Sequence, residues 1–408
     1  MNDRIVVVVG AGFAGFWAAL AARRVAAPDV PVALVSREPV LQMRPRLYEA
    51  EPERLGLGLL PLLHRVGVQF IPGEATALDH DGRTLVLEDG REVAYGRLVV
   101  ATGSEIRRPP IPGADEAYSI DTVPEAIAFD GRLAEIVRGG ADPTLAVVGA
   151  GFTGIELALE LRDRIAQHGT QEQAERARVL LVDRADAIGK GLGAGPRPVI
   201  EAALGEARVE LRLGANVVAL GRDRLVLAGG DTILTDAVVL TTGMEAAGFA
   251  RAIPGERDQL GRIVVHRSLR APAASEVFVA GDAAAADGGD GHAIVQSCQH
   301  ALQLGRFAGE NAARDLAGLP TIPYTQPPYI TCLDLGRSGA VFTRGWDRAV
   351  ERTGAEAKAM KRRINTEAIY PPSAATRDEL LTMSSVEVAL QRRGRYAAPQ
   401  RLVPRIAS

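Results

Sequence analysis

The chain has 408 residues, 47% of them hydrophobic, which is enough to bury sizeable cores in more than one domain. Its 47 Lys and Arg against 50 Asp and Glu leave a net charge of −3, so the overall balance gives no reason to expect a nucleic-acid partner. Two cysteines, Cys298 and Cys332, with no CxxC and no Cys/His ligand spacing, argue against a disulfide framework, a thioredoxin-type thiol pair and a metal site.

The N-terminal stretch MNDRIVVVVG carries an apolar run that is too short for a signal peptide's core. No run approaches the roughly 18 to 20 apolar residues that span a bilayer. The expected location is cytoplasmic, with peripheral contact at the inner face of the cell membrane left open. Ile5 to Val9 is an unbroken β-branched run, as expected of a parallel strand covered on both faces. It leads into GAGFAGFWAALAARR, in which Gly10, Gly12 and Gly15 form G-x-G-x-x-G between a strand and a helix. The first glycine permits the turn, the second lets backbone approach a pyrophosphate, and the third lets helix and strand pack closely. The following strand, VPVALVS at 30 to 36, ends in Ser36 and Arg37, where such units commonly carry an acidic ribose partner. Residues 68 to 100 alternate short strands with turn signals and read as a β meander. Ala101, Thr102 and Gly103 follow, and the stiff connector RRPPIPGAD at 107 to 115 marks a domain boundary.

Beyond the connector the pattern starts again. TLAVVGAGFTGIELALELRDRI at 144 to 165 repeats strand, glycine turn and helix, with Gly149, Gly151 and Gly154 in the three glycine positions. RVLLVDR then places Asp183 at a strand end, where a carboxylate accepts from ribose hydroxyls and repels a 2′-phosphate. That favours NADH, while Arg184 beside it leaves NADPH open. A second meander ends in TTG at 241 to 243, with Gly243 echoing Gly103. EVFVAGDAA at 276 to 284 is one more buried strand and ends in Gly281 and Asp282. A helix is expected over 293 to 314, and the composition changes from Pro320 onward.

Paired glycine turns, ATG, the proline connector, TTG, LGRIVVHRSLR and VFVAGDAA together resemble the two-dinucleotide-binding-domain flavoproteins over residues 4 to 317. The resemblance implies an α/β fold of two Rossmann-like domains plus a small α+β C-terminal domain. The implied layout is 1–112 and 265–320 for FAD, 113–264 for an inserted NAD(P)H domain, and 321–408 for the C-terminal domain. By the same resemblance Ala101, Thr102 and Gly103 pass near the FAD, and Asp282 hydrogen-bonds its ribitol. Members that reduce disulfides use a cysteine pair near the flavin or in the NAD domain, and this chain has neither cysteine there. Sulfide:quinone reductases also need such a pair. Type II NADH:quinone dehydrogenases match best on three stretches. GFTGIELALELRDRI resembles their NADH-site helix and puts Glu156 near nicotinamide and flavin. CQHALQLG at 298 to 305 resembles their quinone-site motif AQxAxQxG, with Cys298 in an alanine's place. TCLDLGRSGAV resembles the first strand of their C-terminal domain and offers Arg337 as a cation beside quinone or flavin.

The expected activity is therefore a FAD-dependent oxidoreductase that takes a hydride from NAD(P)H and passes electrons to a quinone-like small molecule. Glu156 would organise protons, while Gln299 and Gln303, four apart on one helix face, would reach a quinone carbonyl. The plainer readings are a partly exposed helix carboxylate, solvent-facing glutamines, and a small buried residue at Cys298. Phe16 and Trp17 are expected in the core. Other classes stay open at this point: a soluble ferredoxin- or rubredoxin-type reductase, a biosynthetic flavin oxidoreductase, and a redox sensor that turns over slowly. Basic residues outnumber acidic ones over 340 to 408, yet the helices there offer only a thin apolar face. A solvated or dimer-contacting helix is the simpler reading than a membrane anchor, so a homodimer is also open.

Overall fold

The computed structural model describes residues 4–140 and 142–391. Two parallel sheets dominate it, and each is built around one of the glycine turns. In the first, strands 270–271, 274–279, 97–100, 6–9, 32–36 and 69–72 lie side by side in that order. All neighbours are parallel except the edge pair 270–271 with 274–279. The central Val6–Val9 is wholly buried, as a β-branched run sandwiched between layers must be. Helix α1, Phe13–Val25, follows the turn and covers one face.

The second sheet orders strands 118–119, 237–240, 144–148, 178–182 and 209–212, all parallel. Helix α2, Phe152–His168, stands to it as α1 stands to the first sheet. The chain passes between the two units on an antiparallel pair, Ser104–Ile106 with Met244–Ala246. Ala246, Ala250, Ile253 and Ile263 then pack with the first sheet, so the return crossing falls at 244 to 246 rather than at 264.

Helix α3, Cys298–Leu316, begins later than the expected 293 because residues 284 to 297 are occupied by a short strand and an extended segment. It lies against α1 with backbone touching backbone. A Cβ on Gly305 would collide with Ala14, and one on Gly309 with Ala18, so the two helices meet on a stripe of small residues four apart. Phe16 and Trp17 are buried, as expected, and Arg306 of α3 stacks over the Trp17 ring at 4.0 Å.

The C-terminal domain is a three-stranded antiparallel sheet, Ile330–Asp334, Ala340–Arg344 and Ala349–Thr353, capped by helix α4, Gly354–Arg363. Its first strand packs against α2 and is hydrogen-bonded to the start of α3. Two further helices, Arg377–Met383 and Val386–Gln391, run back along α1 and α3. Several of the tail's described charges are paired in place: Arg344 with Glu351, Arg352 with Glu356, Lys358 with Asp334 and Arg363 with Glu367. The residues after 391, on which part of the basic tail falls, lie outside the described residues. No described helix is long and apolar enough to cross a membrane.

Candidate active site

Both glycine turns are shaped to receive a dinucleotide. A Cβ on Gly10 would collide with the carbonyl of Ala101, and one on Gly15 with the carbonyl of Gly10. Gly149 and Gly154 stand in the same relation to Thr241 and Gly149. By contrast a Cβ on Gly12 or Gly151 would meet nothing within 4 Å, so the space before each helix start is open. Neither α1 nor α2 has a side-chain cap, which leaves its first N–H groups free for phosphate oxygens.

Along the first turn, Ala101 is buried, Gly103 has φ +75°, and the buried Thr102 hydroxyl has no partner among the described residues. Such an orphaned hydroxyl beside an open cradle fits a bound group that supplies the missing hydrogen bond. Gly281, at φ +69°, packs on Ala14, and the Ser104 hydroxyl donates to Asp282 at 2.7 Å. Ser36 ends its strand half-buried, and the exposed Arg37 reaches Glu74 at 3.5 Å. At the second turn both oxygens of Asp183 hold backbone: one accepts from Ala150 N at 2.6 Å, the other from Ala185 N at 2.7 Å. The carboxylate is thereby fixed beside the glycine turn. Gly243, at φ +92°, closes the matching loop.

The second turn and the C-terminal domain open onto one cavity of about 550 Å³. Arg44, Pro45 and Tyr48 come from the first domain, Gly151 to Thr153 and Glu156 from α2, and Val295 to Gln299 with Gln303 from the α3 start. Cys332, Arg344, Arg348 and Lys361 come from the C-terminal domain. Ser297 caps α3 by accepting from His300 N at 3.3 Å, and the Gln296 amide donates to the Asp282 carbonyl at 3.2 Å. His300 lies under this segment with Nδ1 2.7 Å from the Val295 carbonyl, its ring stacked on Tyr329 at 5.0 Å.

Gln299 and Gln303 both line the cavity, but their amides are engaged. Gln299 donates to the Ile330 carbonyl at 2.9 Å and accepts from Ile330 N at 3.3 Å, joining α3 to the first strand of the C-terminal sheet. The Gln303 carbonyl accepts from Arg306 at 3.2 Å. Each amide retains part of its hydrogen-bonding capacity for a ligand. Arg337 is not at the cavity. It is exposed and donates to Asp163 on the outer side of α2, because a tight turn at Gly336 carries the chain past Leu159 and away from the site.

Glu156 is buried at 4% exposure and hydrogen-bonded to Lys361 Nζ at 2.7 Å and to Asp334 N at 2.9 Å. The plainer reading of a partly exposed carboxylate therefore fails. Burial pushes its carboxyl up to about 7, against the opposing pull of Lys361. For Lys361 itself, burial disfavours the charge but Glu156 outweighs it, so the ammonium's pKa is raised. Near neutrality the pair therefore holds a fraction of a proton more than the same two groups would hold if exposed. Around it, Tyr48 donates to Asp334 at 3.3 Å, and Asn365 donates to Tyr48 at 3.4 Å and to Glu49 at 3.1 Å. Burial raises the Tyr48 hydroxyl well above its ordinary value, so it stays protonated. Glu160, one helical turn beyond Glu156, is also pushed to about 7, by burial and then by Asp334 and Asp163.

The thiols are poor nucleophiles. Burial lifts Cys298 to about 11 and Cys332 to about 12, and both cysteines are free. The sequence reading did not single out Lys361, Asp334, Tyr48, Arg44 or Arg348. Lys361 looked like one more charge of a basic helix, and only its burial distinguishes it.

Comparison with known proteins agrees with this geometry. The pyridine nucleotide-disulphide oxidoreductase family model matches residues 4–305. The chain belongs to that family and is an NAD(P)H-dependent flavoprotein oxidoreductase. It is similar to an NADH dehydrogenase-like protein of Mycobacterium tuberculosis, 40% identical over 393 residues that cover 94% of this chain and 98% of the relative. It is also 29% identical over 346 residues to a type II NADH:quinone oxidoreductase of the same organism, covering 77% of this chain and 73% of that one. Among solved structures, a sulfide:quinone oxidoreductase from Aquifex aeolicus shares the fold, with a TM-score of 0.75 at 18% identity, covering 96% of this chain and 94% of that one.

Proposed function

We propose that this protein oxidises NADH through bound FAD and reduces a quinone or quinone-like small molecule. The observation that carries the reading is the convergence of the second glycine turn, the α3 start and the Glu156–Lys361 pair on a single cavity, with Arg44 and Tyr48 of the first domain in its wall. The likeness to a type II NADH:quinone oxidoreductase supports the choice of acceptor. FAD supplies two-electron chemistry with both a hydride donor and a quinone.

The chain's own residues do the rest. The open space at Gly12 and the orphaned Thr102 hydroxyl suit FAD, and Gly151 with Asp183 suit the nicotinamide dinucleotide. The fixed negative charge of Asp183 disfavours a 2′-phosphate and so favours NADH. The α3 N-terminus directs its dipole into the cavity, where reduction adds negative charge. Reducing a quinone to a quinol requires two protons besides two electrons. Glu156, poised near neutrality and held by Lys361, is the group positioned to deliver one. Gln299 and Gln303 fix the wall against which the acceptor lies.

Anaerobic half-reactions test this. NADH should bleach the flavin absorbance, and a short-chain quinone should restore it. Loss of either step, with FAD retained, contradicts the assignment.

A further inference from the structure

Four cations line the cavity, and three have carboxylate partners: Arg44 with Asp121, Arg344 with Glu351 and Lys361 with Glu156. Arg348 has none among the described residues. Its guanidinium lies over the Tyr329 ring at 4.8 Å and donates to the Gly191 carbonyl at 3.3 Å. Gly191 belongs to the glycine-rich loop that leaves the strand of Asp183, and this loop folds back onto the second glycine turn, with Gly189 N donating to the Ala150 carbonyl at 3.2 Å. Arg348 therefore stands across the cavity mouth from the turn that receives the dinucleotide phosphates.

The position is built rather than incidental. Arg348 has φ +57°, a left-handed conformation that costs a non-glycine residue energy and must be held by its surroundings. The tip of its hairpin is anchored by Trp346, whose indole N–H donates to Asp290 at 2.9 Å and whose ring stacks on His292 at 4.8 Å. On the opposite side, glycines make room. A Cβ on Gly195 would stand 2.9 Å from the Arg348 carbonyl, and one on Gly193 3.3 Å from its Cγ.

We propose that Arg348 is an anion subsite contributed by the C-terminal domain to the NAD(P)H site, where it binds the phosphate attached to the nicotinamide ribose. The inference rests on the assignment of the dinucleotide to the second glycine turn. A guanidinium is planar and keeps several donors free after one is spent on a carbonyl, which matches a phosphate's oxygens. Stacking on Tyr329 removes much of the side chain's freedom before the ligand arrives, so little is lost on binding.

The test uses the FAD-loaded protein, two substitutions and two ligands. In calorimetric titration, Arg348→Gln should weaken NAD⁺ binding about tenfold, and Arg348→Lys should recover part of the loss. Reduced nicotinamide riboside, which has no phosphate, should reduce the flavin with the same apparent Kd in wild type and Arg348→Gln. Unchanged NAD⁺ affinity in Arg348→Gln overturns the proposal, and so does an equal loss for the riboside, which would report general damage to the site. A variant that keeps NAD⁺ affinity but is reoxidised more slowly by a carboxylate-bearing quinone than by a neutral one would assign the cation to the acceptor instead. Failure of the functional reading itself looks different: NADH would then leave the wild-type flavin unbleached.

Discussion

Glu156 and Lys361 lie 205 residues apart in the chain and 2.7 Å apart in the cavity. The resemblance of its helix to an NADH-site helix made Glu156 a candidate beside a nicotinamide, but a partner so distant leaves no local pattern to read. The same holds for Asp334 and Tyr48, which are ordinary residues until the C-terminal sheet closes over α2. The pair has a pH consequence. Glu156 is protonated below about 7 and charged above it, so a proton for the acceptor is available at low pH and lost as pH rises through that value. Flavin reoxidation by quinone should slow across this window in the wild type, whereas Glu156→Gln should show a flat and lower profile. Lys361→Met removes the opposing cation and leaves burial uncompensated, so the break in the profile should move to higher pH. Stopped-flow reoxidation over pH 5.5 to 9 reads both variants. The sequence offers Asp183 as a candidate nucleotide-selecting acid, and the structure shows that it holds Ala150 and Ala185. Asp183→Ala should raise the KM for NADH more than that for NADPH, and an unchanged ratio would remove the basis for preferring NADH.

At the scale of elements, α3 ties together what the sequence showed only as a motif. The spacing of Gln299, Gln303 and Gly305 suggested acceptor contacts, but much of the pattern serves packing. Gly305 and Gly309 allow α3 to lie against Ala14 and Ala18 of α1, and Gln299 stitches the helix to Ile330. Gly305→Ala should force the helices apart, costing roughly 1–3 kcal/mol and loosening FAD, which a lowered Tm and a reduced flavin-to-protein ratio would show. On the proposed acceptor site, Gln299→Ala should leave reduction by NADH nearly intact and slow reoxidation by quinone. His300 supports the same helix start from beneath. Burial lowers its pKa from 6.5 to about 4, so the folded protein keeps it neutral. Its contribution to stability is present above pH 6.5 and lost as pH falls toward 4, because the unfolded chain then binds the proton first. His300→Phe should flatten the dependence of Tm on pH between 6.5 and 4.

For the whole molecule, the two β-branched strands, their glycine turns and the proline connector made the duplicated α/β architecture readable, since each depends on neighbours in sequence. The C-terminal domain was not readable in that way. Its composition suggested a solvated basic surface, but it folds inward, delivering Lys361 and Arg348 to the cavity and pairing several of its described cations with carboxylates. The cavity is thus lined by three parts of the chain, and its chemistry belongs to none of them alone. The central claim is that one cavity couples NADH oxidation to reduction of a quinone-like acceptor, and a paired anaerobic experiment addresses it most directly. Purified FAD-loaded protein is titrated with NADH until the flavin is bleached, then mixed with a short-chain quinone while the flavin absorbance is followed. The account expects full bleaching at one NADH per FAD and full recovery with one quinone consumed per FAD. Bleaching without recovery by any quinone would contradict it.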